Sequence, residues 1–109
     1  MCSSDLLMSS RIQFIKSPSK GVVNLLKHRM NSEAWERIQK TNWDSVALIQ
    51  DNLPLLFAFA DNAEKSADVI VEEIRGTCPQ HLSMIAIFGS TSAVQAALEG
   101  IDMFLSNQK

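Results

Sequence analysis

A thiol and an imidazole three positions apart, Cys78 and His81, are the side chains of this sequence best suited to chemistry. They stand in the run Gly76-Thr77-Cys78-Pro79-Gln80-His81. There Gly76 permits an unusual backbone angle and Pro79 stiffens the chain just after the thiol. Nucleophilic catalysis needs an activated thiolate, a base and a third group to orient the base. No neighbouring carboxylate is placed to orient either His81 or the other histidine, His28. Glu72 and Glu73 are adjacent, so in a strand they face opposite sides and cannot act as a pair. No catalytic residues are therefore expected. A thiol in a rigid polar loop is accessible, and Cys-Pro also occurs at iron–sulfur ligands. One thiolate cannot hold a cluster, but several copies around a symmetry axis can. Soft thiolate ligands suit Fe–S, Zn or Cu(I), so ligand type alone does not choose the metal.

Two other segments invite an anion. Ser17-Pro18-Ser19-Lys20-Gly21 lacks the spacing that lets successive amides wrap a phosphate, and reads as a proline turn. Gly89-Ser90-Thr91-Ser92 opens a helix, where free amides attract anions, but Ser or Thr capping explains the same residues. His28, between Lys27 and Arg29, reads as a solvated helix residue.

These side chains are carried by 109 residues, 46% apolar, with two cysteines and a net charge of −2. That is one domain's length, and the apolar share excludes a wholly disordered chain. Two cysteines are too few for a disulfide scaffold or a four-thiolate site in one subunit. The longest apolar-rich run, residues 53–60, is far short of the about 20 residues a membrane span needs. The first five residues show no secretory pattern, so a cytoplasmic protein without a membrane partner is expected. Charge is uneven: residues 1–40 carry seven basic and three acidic side chains, residues 41–109 three basic and nine acidic. A basic face for RNA is one reading, and a small regulatory or RNA-binding domain is the alternative function. Solvated surfaces and subunit contacts are favoured, because no aromatic side chains interleave the basic ones as base stacking requires.

The elements that must position the thiol follow from periodicity. Residues 1–10 read as a Ser-rich tail and 11–109 as one domain. A strand is expected at 11–16 and a helix at 22–30. A second helix is expected at 32–40, capped by Ser32, and a strand at 45–50. Asp51 or Asn52 caps a helix that begins near Pro54 and runs to about 67 with Leu56, Phe59, Ala60, Ala63 and Ala67 on one face. Val-Ile-Val favours a strand within 68–75, followed by the 76–81 loop. Residues 82–88 are apolar on both faces and hence central in a sheet. The last helix carries Val94, Ala97, Leu98, Ile101 and Leu105 at helical spacing. The fold class is α+β, a compact sheet with helices on one side.

The run Ile85-Ala-Ile-Phe-Gly-Ser-Thr-Ser-Ala-Val-Gln-Ala-Ala-Leu98 resembles the last strand and helix of bacterial microcompartment (BMC-domain) shell proteins. Ala63-Glu-Lys-Ser-Ala-Asp-Val69 resembles that domain's first helix entering its second strand. Arg11-Ile-Gln-Phe-Ile-Lys16 followed by Gly21-Val-Val-Asn-Leu-Leu-Lys-His28 is similar to the circularly permuted members, in which elements usually at the C-terminus come first. The resemblance implies a non-enzymatic structural protein, a cyclic homohexamer that tiles with other shell proteins, binding no nucleic acid. In this family the 76–81 loop lines the central pore. Here it resembles the pore motif of the iron–sulfur-binding shell proteins of glycyl-radical propanediol microcompartments. That implies Cys78 as the ligand of an iron–sulfur cluster shared between subunits, with Gly76, Thr77, Pro79, Gln80 and His81 completing the pore loop. It also implies that the first strand gathers near the axis as a small barrel.

Overall fold

The structure, a computed structural model, describes residues 12–75 and 82–107. Its elements run β1 (Ile12–Lys16), α1 (Lys20–His28), α2 (Ser32–Gln39), β2 (Ser45–Asn52), α3 (Leu53–Ser66), β3 (Ile70–Ile74), β4 (Leu82–Gly89) and α4 (Thr91–Asn107). The expected tail at residues 1–10 lies outside the described residues.

The four strands form one antiparallel sheet in the order β1-β2-β4-β3. Successive side chains of a strand alternate between faces, so the apolar residues of β2 and β4 divide into two sets. Ala47, Ile49, Ile85 and Ile87 pack with Leu56, Phe59 and Ala63 of α3 and Val94, Ala97 and Ile101 of α4. Val46, Ala86 and Phe88, with Ile74 of β3, pack with Leu26 of α1, Met30, and Ala34, Trp35 and Ile38 of α2. The sheet is thus covered on both faces, two helices on each, which corrects the expectation of helices on one side. The physical reason lies in β4: Ile85 and Ile87 on one face, Ala86 and Phe88 on the other, are all 7% exposed or less. Both apolar faces need a covering layer. Burying a large apolar side chain such as Phe88 contributes about 2 kcal/mol, and Trp43 meets its ring edge-on with centroids 5.0 Å apart.

Local signals set the element ends. Ser19 caps α1 by accepting from Val22 N–H, so the helix begins two residues before the expected start. Ser17 just before it takes a positive φ of 49° and donates its N–H to the Asp44 carbonyl at 2.8 Å. The cap of α2 is Asn31, whose Oδ1 accepts from Ala34 N–H at 3.0 Å, rather than the expected Ser32, which is the first helical residue. Asn52 caps α3 through Leu55 N–H. The strand expected at 45–50 continues to Asn52, because Asp51 and Asn52 still pair with Ser83 and Leu82 of β4.

Candidate functional site

Cys78 belongs to the connection between β3 and β4, and all six residues from Gly76 to His81 lie outside the described residues. What the structure places is the ground on either side of them. Ile74 pairs with Met84, so the connection leaves the sheet from one edge strand, β3, and re-enters at a central one. The returning strand is held by both neighbours: Leu82 and Ser83 face Asn52 and Asp51, where β2 passes into α3. Asp51 is buried and its Oδ1 accepts the Asn52 N–H at 2.8 Å.

Arg75 anchors the outgoing side. Its backbone N–H donates to the Arg29 carbonyl at 2.8 Å, and its Nη2 donates to the Met30 carbonyl at 3.1 Å. Both carbonyls belong to the link between α1 and α2, which lies outside regular helix and would otherwise leave these acceptors to water. The foot of the connection is therefore tied to β4, to the β2–α3 junction and to the α1–α2 link. Two residues before Arg75, Glu73 is exposed, while Glu72 is half-buried and bonded to Arg37 of α2. The two carboxylates face opposite sides, as the strand reading expects.

The other sequence candidates have internal roles. Ser90 Oγ accepts from Ala93 N–H at 3.2 Å, the capping role weighed against anion binding. Thr91 Oγ1 lies 2.7 Å from the buried Ser45 Oγ and donates to Asp44 Oδ1 at 3.2 Å, so its hydroxyl is spent on tying α4 to β2. His28 is exposed, with Nδ1 2.8 Å from the Asn24 carbonyl one turn back. Among the described residues no group of three or more His, Cys, Asp or Glu stands close enough to hold a metal ion. A thiolate is a soft donor, and one from each chain suits an iron–sulfur cluster only when several chains contribute. Sequence reasoning did not find Arg75. Its signal, a long cation immediately before Gly76, becomes meaningful only once the α1–α2 link is known to lie beside it.

The BMC domain family matches residues 50–106, from the end of β2 through most of α4. Among solved structures, the ligand-free GrpU microcompartment shell protein from Pectobacterium wasabiae is 35% identical, over 84% of this chain and 98% of that one, with a TM-score of 0.69. The ligand-free GrpU shell protein from Clostridiales bacterium 1_7_47FAA is 31% identical over 84% and 86%, with a TM-score of 0.59. The fused permuted hexameric shell protein MSM0275 from the RMM microcompartment is 16% identical, over 87% of this chain and 44% of that one, with a TM-score of 0.50, and shows likeness of fold. A comparison with curated proteins finds no match. The family match begins after β1, α1 and α2, the elements that a permuted arrangement carries at its start.

Proposed function

Because this chain belongs to the BMC-domain family of microcompartment shell proteins, we propose that it forms homohexameric tiles whose pore holds an iron–sulfur cluster through Cys78. It is a structural protein of the shell, with the permuted BMC fold, and not an enzyme. In the proposed assembly the β3–β4 connection of each subunit lines the six-fold axis, and Gly76, Thr77, Pro79, Gln80 and His81 shape the pore around the thiol. The shell is of the glycyl-radical propanediol type, and the tiles meet other shell proteins at their edges.

The observation that carries this reading is the single thiol in a connection whose two feet are moored. Arg75 is fixed to the α1–α2 link and Leu82 is paired into the centre of the sheet. A ligand loop has to return to the same place in every subunit if a shared cluster is to form. Six thiols at an axis exceed the about four that a cluster takes, so occupancy breaks the symmetry and leaves some thiols unused. The bound cluster would supply one-electron chemistry at the pore. The chain's own part is to present the thiol and to keep the surrounding loop in register.

Protein purified without oxygen should be brown and should contain iron and acid-labile sulfide. Cys78→Ser should remove the colour and both elements while the hexamer persists. Loss of colour with Cys2→Ser instead would move the ligand to the N-terminal segment and overturn the assignment.

A further inference from the structure

The helices α1 and α2 cover the same face of the sheet, and a groove runs between them. Along α1 it is lined by Lys20, Val23 and Lys27, which recur on one side of the helix at successive turns, and along α2 by Trp35 and Gln39, one turn apart. It holds two hollows of about 300 and 490 Å³ that share Lys27, Trp35 and Gln39, volumes suited to a small ligand. The second hollow is completed by Met30, Glu36 and Arg75. Val23 is half-buried and Met30 and Trp35 are buried, whereas Lys20, Lys27, Glu36 and Arg75 are exposed. Neither lysine has an ion-pair partner among the described residues. Three cations thus stand against the one carboxylate of Glu36.

Trp35 carries a second, independent signal. It is 7% exposed, and its indole Nε1 is a buried donor without a hydrogen-bond partner, which is true of no other side-chain polar atom among the described residues. A buried donor left unpaired is costly, and native proteins rarely tolerate one. The groove that Trp35 lines is where an acceptor can enter. Because an indole N–H only donates, it selects an oxygen rather than an amine.

We propose that this groove binds a small organic anion, an apolar body carrying a carboxylate or a phosphate ester. Lys27, common to both hollows, meets the anionic group, and Lys20, two turns away on the same side of α1, adds to the positive field. A ligand oxygen accepts from Trp35 Nε1 once the rim side chains part to admit it, and the apolar body rests against Val23 and Met30. Few polar groups over an apolar floor are the usual make-up of a small-molecule site. Neither Cys78 nor a second copy of the chain takes part.

The isotope-labelled full chain gives two indole N–H resonances, from Trp35 and Trp43, and Trp35→Phe identifies which is which. Titration with benzoate or phenyl phosphate should move the Trp35 resonance saturably, with a Kd on the order of 1 mM, and leave that of Trp43 in place. Binding should weaken as salt rises. Benzyl alcohol should move neither resonance, and inorganic phosphate, lacking an apolar body, should bind more weakly than phenyl phosphate. Lys27→Gln, at an exposed position, should weaken binding about tenfold. Trp35→Phe keeps a ring and loses the donor, so calorimetry should give binding weaker by about fivefold with the salt dependence retained. Should that buried substitution unfold the chain, the lysine variant still decides. Absence of a saturable shift with both aryl anions, an equal response to benzyl alcohol, or binding indifferent to Lys27→Gln overturns the site. Cys78→Ser should bind the probes as the wild type does, which keeps a failure here distinct from a failure of the proposed pore.

Discussion

Arg75, the last described residue before the thiol-bearing connection, donates Nη2 to the Met30 carbonyl at 3.1 Å across 45 positions of sequence. With the backbone bond from Arg75 N–H to the Arg29 carbonyl, it ties a strand end on one side of the molecule to a link between two helices. Arg75→Ala removes the side-chain bond and keeps the backbone one. The expected cost is about 1 kcal/mol in global stability, read from the urea midpoint. The larger effect should be local: amide exchange near the connection should quicken, and iron retained per chain should fall. Unchanged exchange and unchanged iron would show that the backbone bond alone suffices.

The cap of α2 separates two adjacent candidates. Asn31 Oδ1 accepts Ala34 N–H at 3.0 Å, and Ser32 is already helical. Asn31→Ala should therefore cost about 1 kcal/mol, and Ser32→Ala only a few tenths. Thermal unfolding of the two variants side by side gives the answer, and the reverse order would restore Ser32 as the cap.

Gly100 stands where α4 crosses α3. A Cβ added there would come within 2.6 Å of Ser66 Oγ and 2.8 Å of Asn62 Oδ1. Replacing glycine by alanine inside a helix ordinarily stabilises by about 1 kcal/mol. Here Gly100→Ala should bring little or none of that gain, because both polar ends must move and their 3.3 Å hydrogen bond is strained or lost. Adding Ser66→Ala removes the closer obstacle, so the double variant should melt higher than Gly100→Ala alone.

Arg37 reaches Glu72 with two donors on one oxygen, Nε at 3.2 Å and Nη2 at 2.9 Å. The side chain of Arg37 is 61% exposed and that of Glu72 only 14%. An ion pair this open to water is worth at most about 1 kcal/mol. Arg37→Ala should lower stability by about that amount, and the difference from wild type should shrink in high salt. A difference that does not change with salt would mean that the arginine's hydrocarbon stem, and not its charge, supplies the effect.

Most of the elements were legible because their apolar residues keep one period. β4 is the clearest case: Met84 to Phe88 apolar on both sides placed it inside the sheet, where it pairs with β2 and β3. The same observation implied a layer on each face, yet that consequence needs the directions of α1 and α2, which periodicity does not carry. The Asn31 cap was missed because Asn and Ser are both good caps and only the backbone at Asn31, extended at ψ 151°, distinguishes them. Of the site, the residue types in the connection were readable, and so was the need for more than one chain. Arg75 was not, since its partners lie on a link 45 residues earlier.

The strand order gives the two ends of the Cys78 connection very different standing. The strand before it, β3, is five residues long and has a neighbour on one side only, whereas the strand after it, β4, is eight residues long and paired on both. Opening of a native protein proceeds in units of unequal free energy, with edges first. Amide protons of β3 should thus exchange through a local opening while those of β4 wait for global unfolding. The connection thus joins an edge strand to a central one. A disturbance at the connection is then taken up first by fraying β3, while β2 and β4 hold the centre of the sheet.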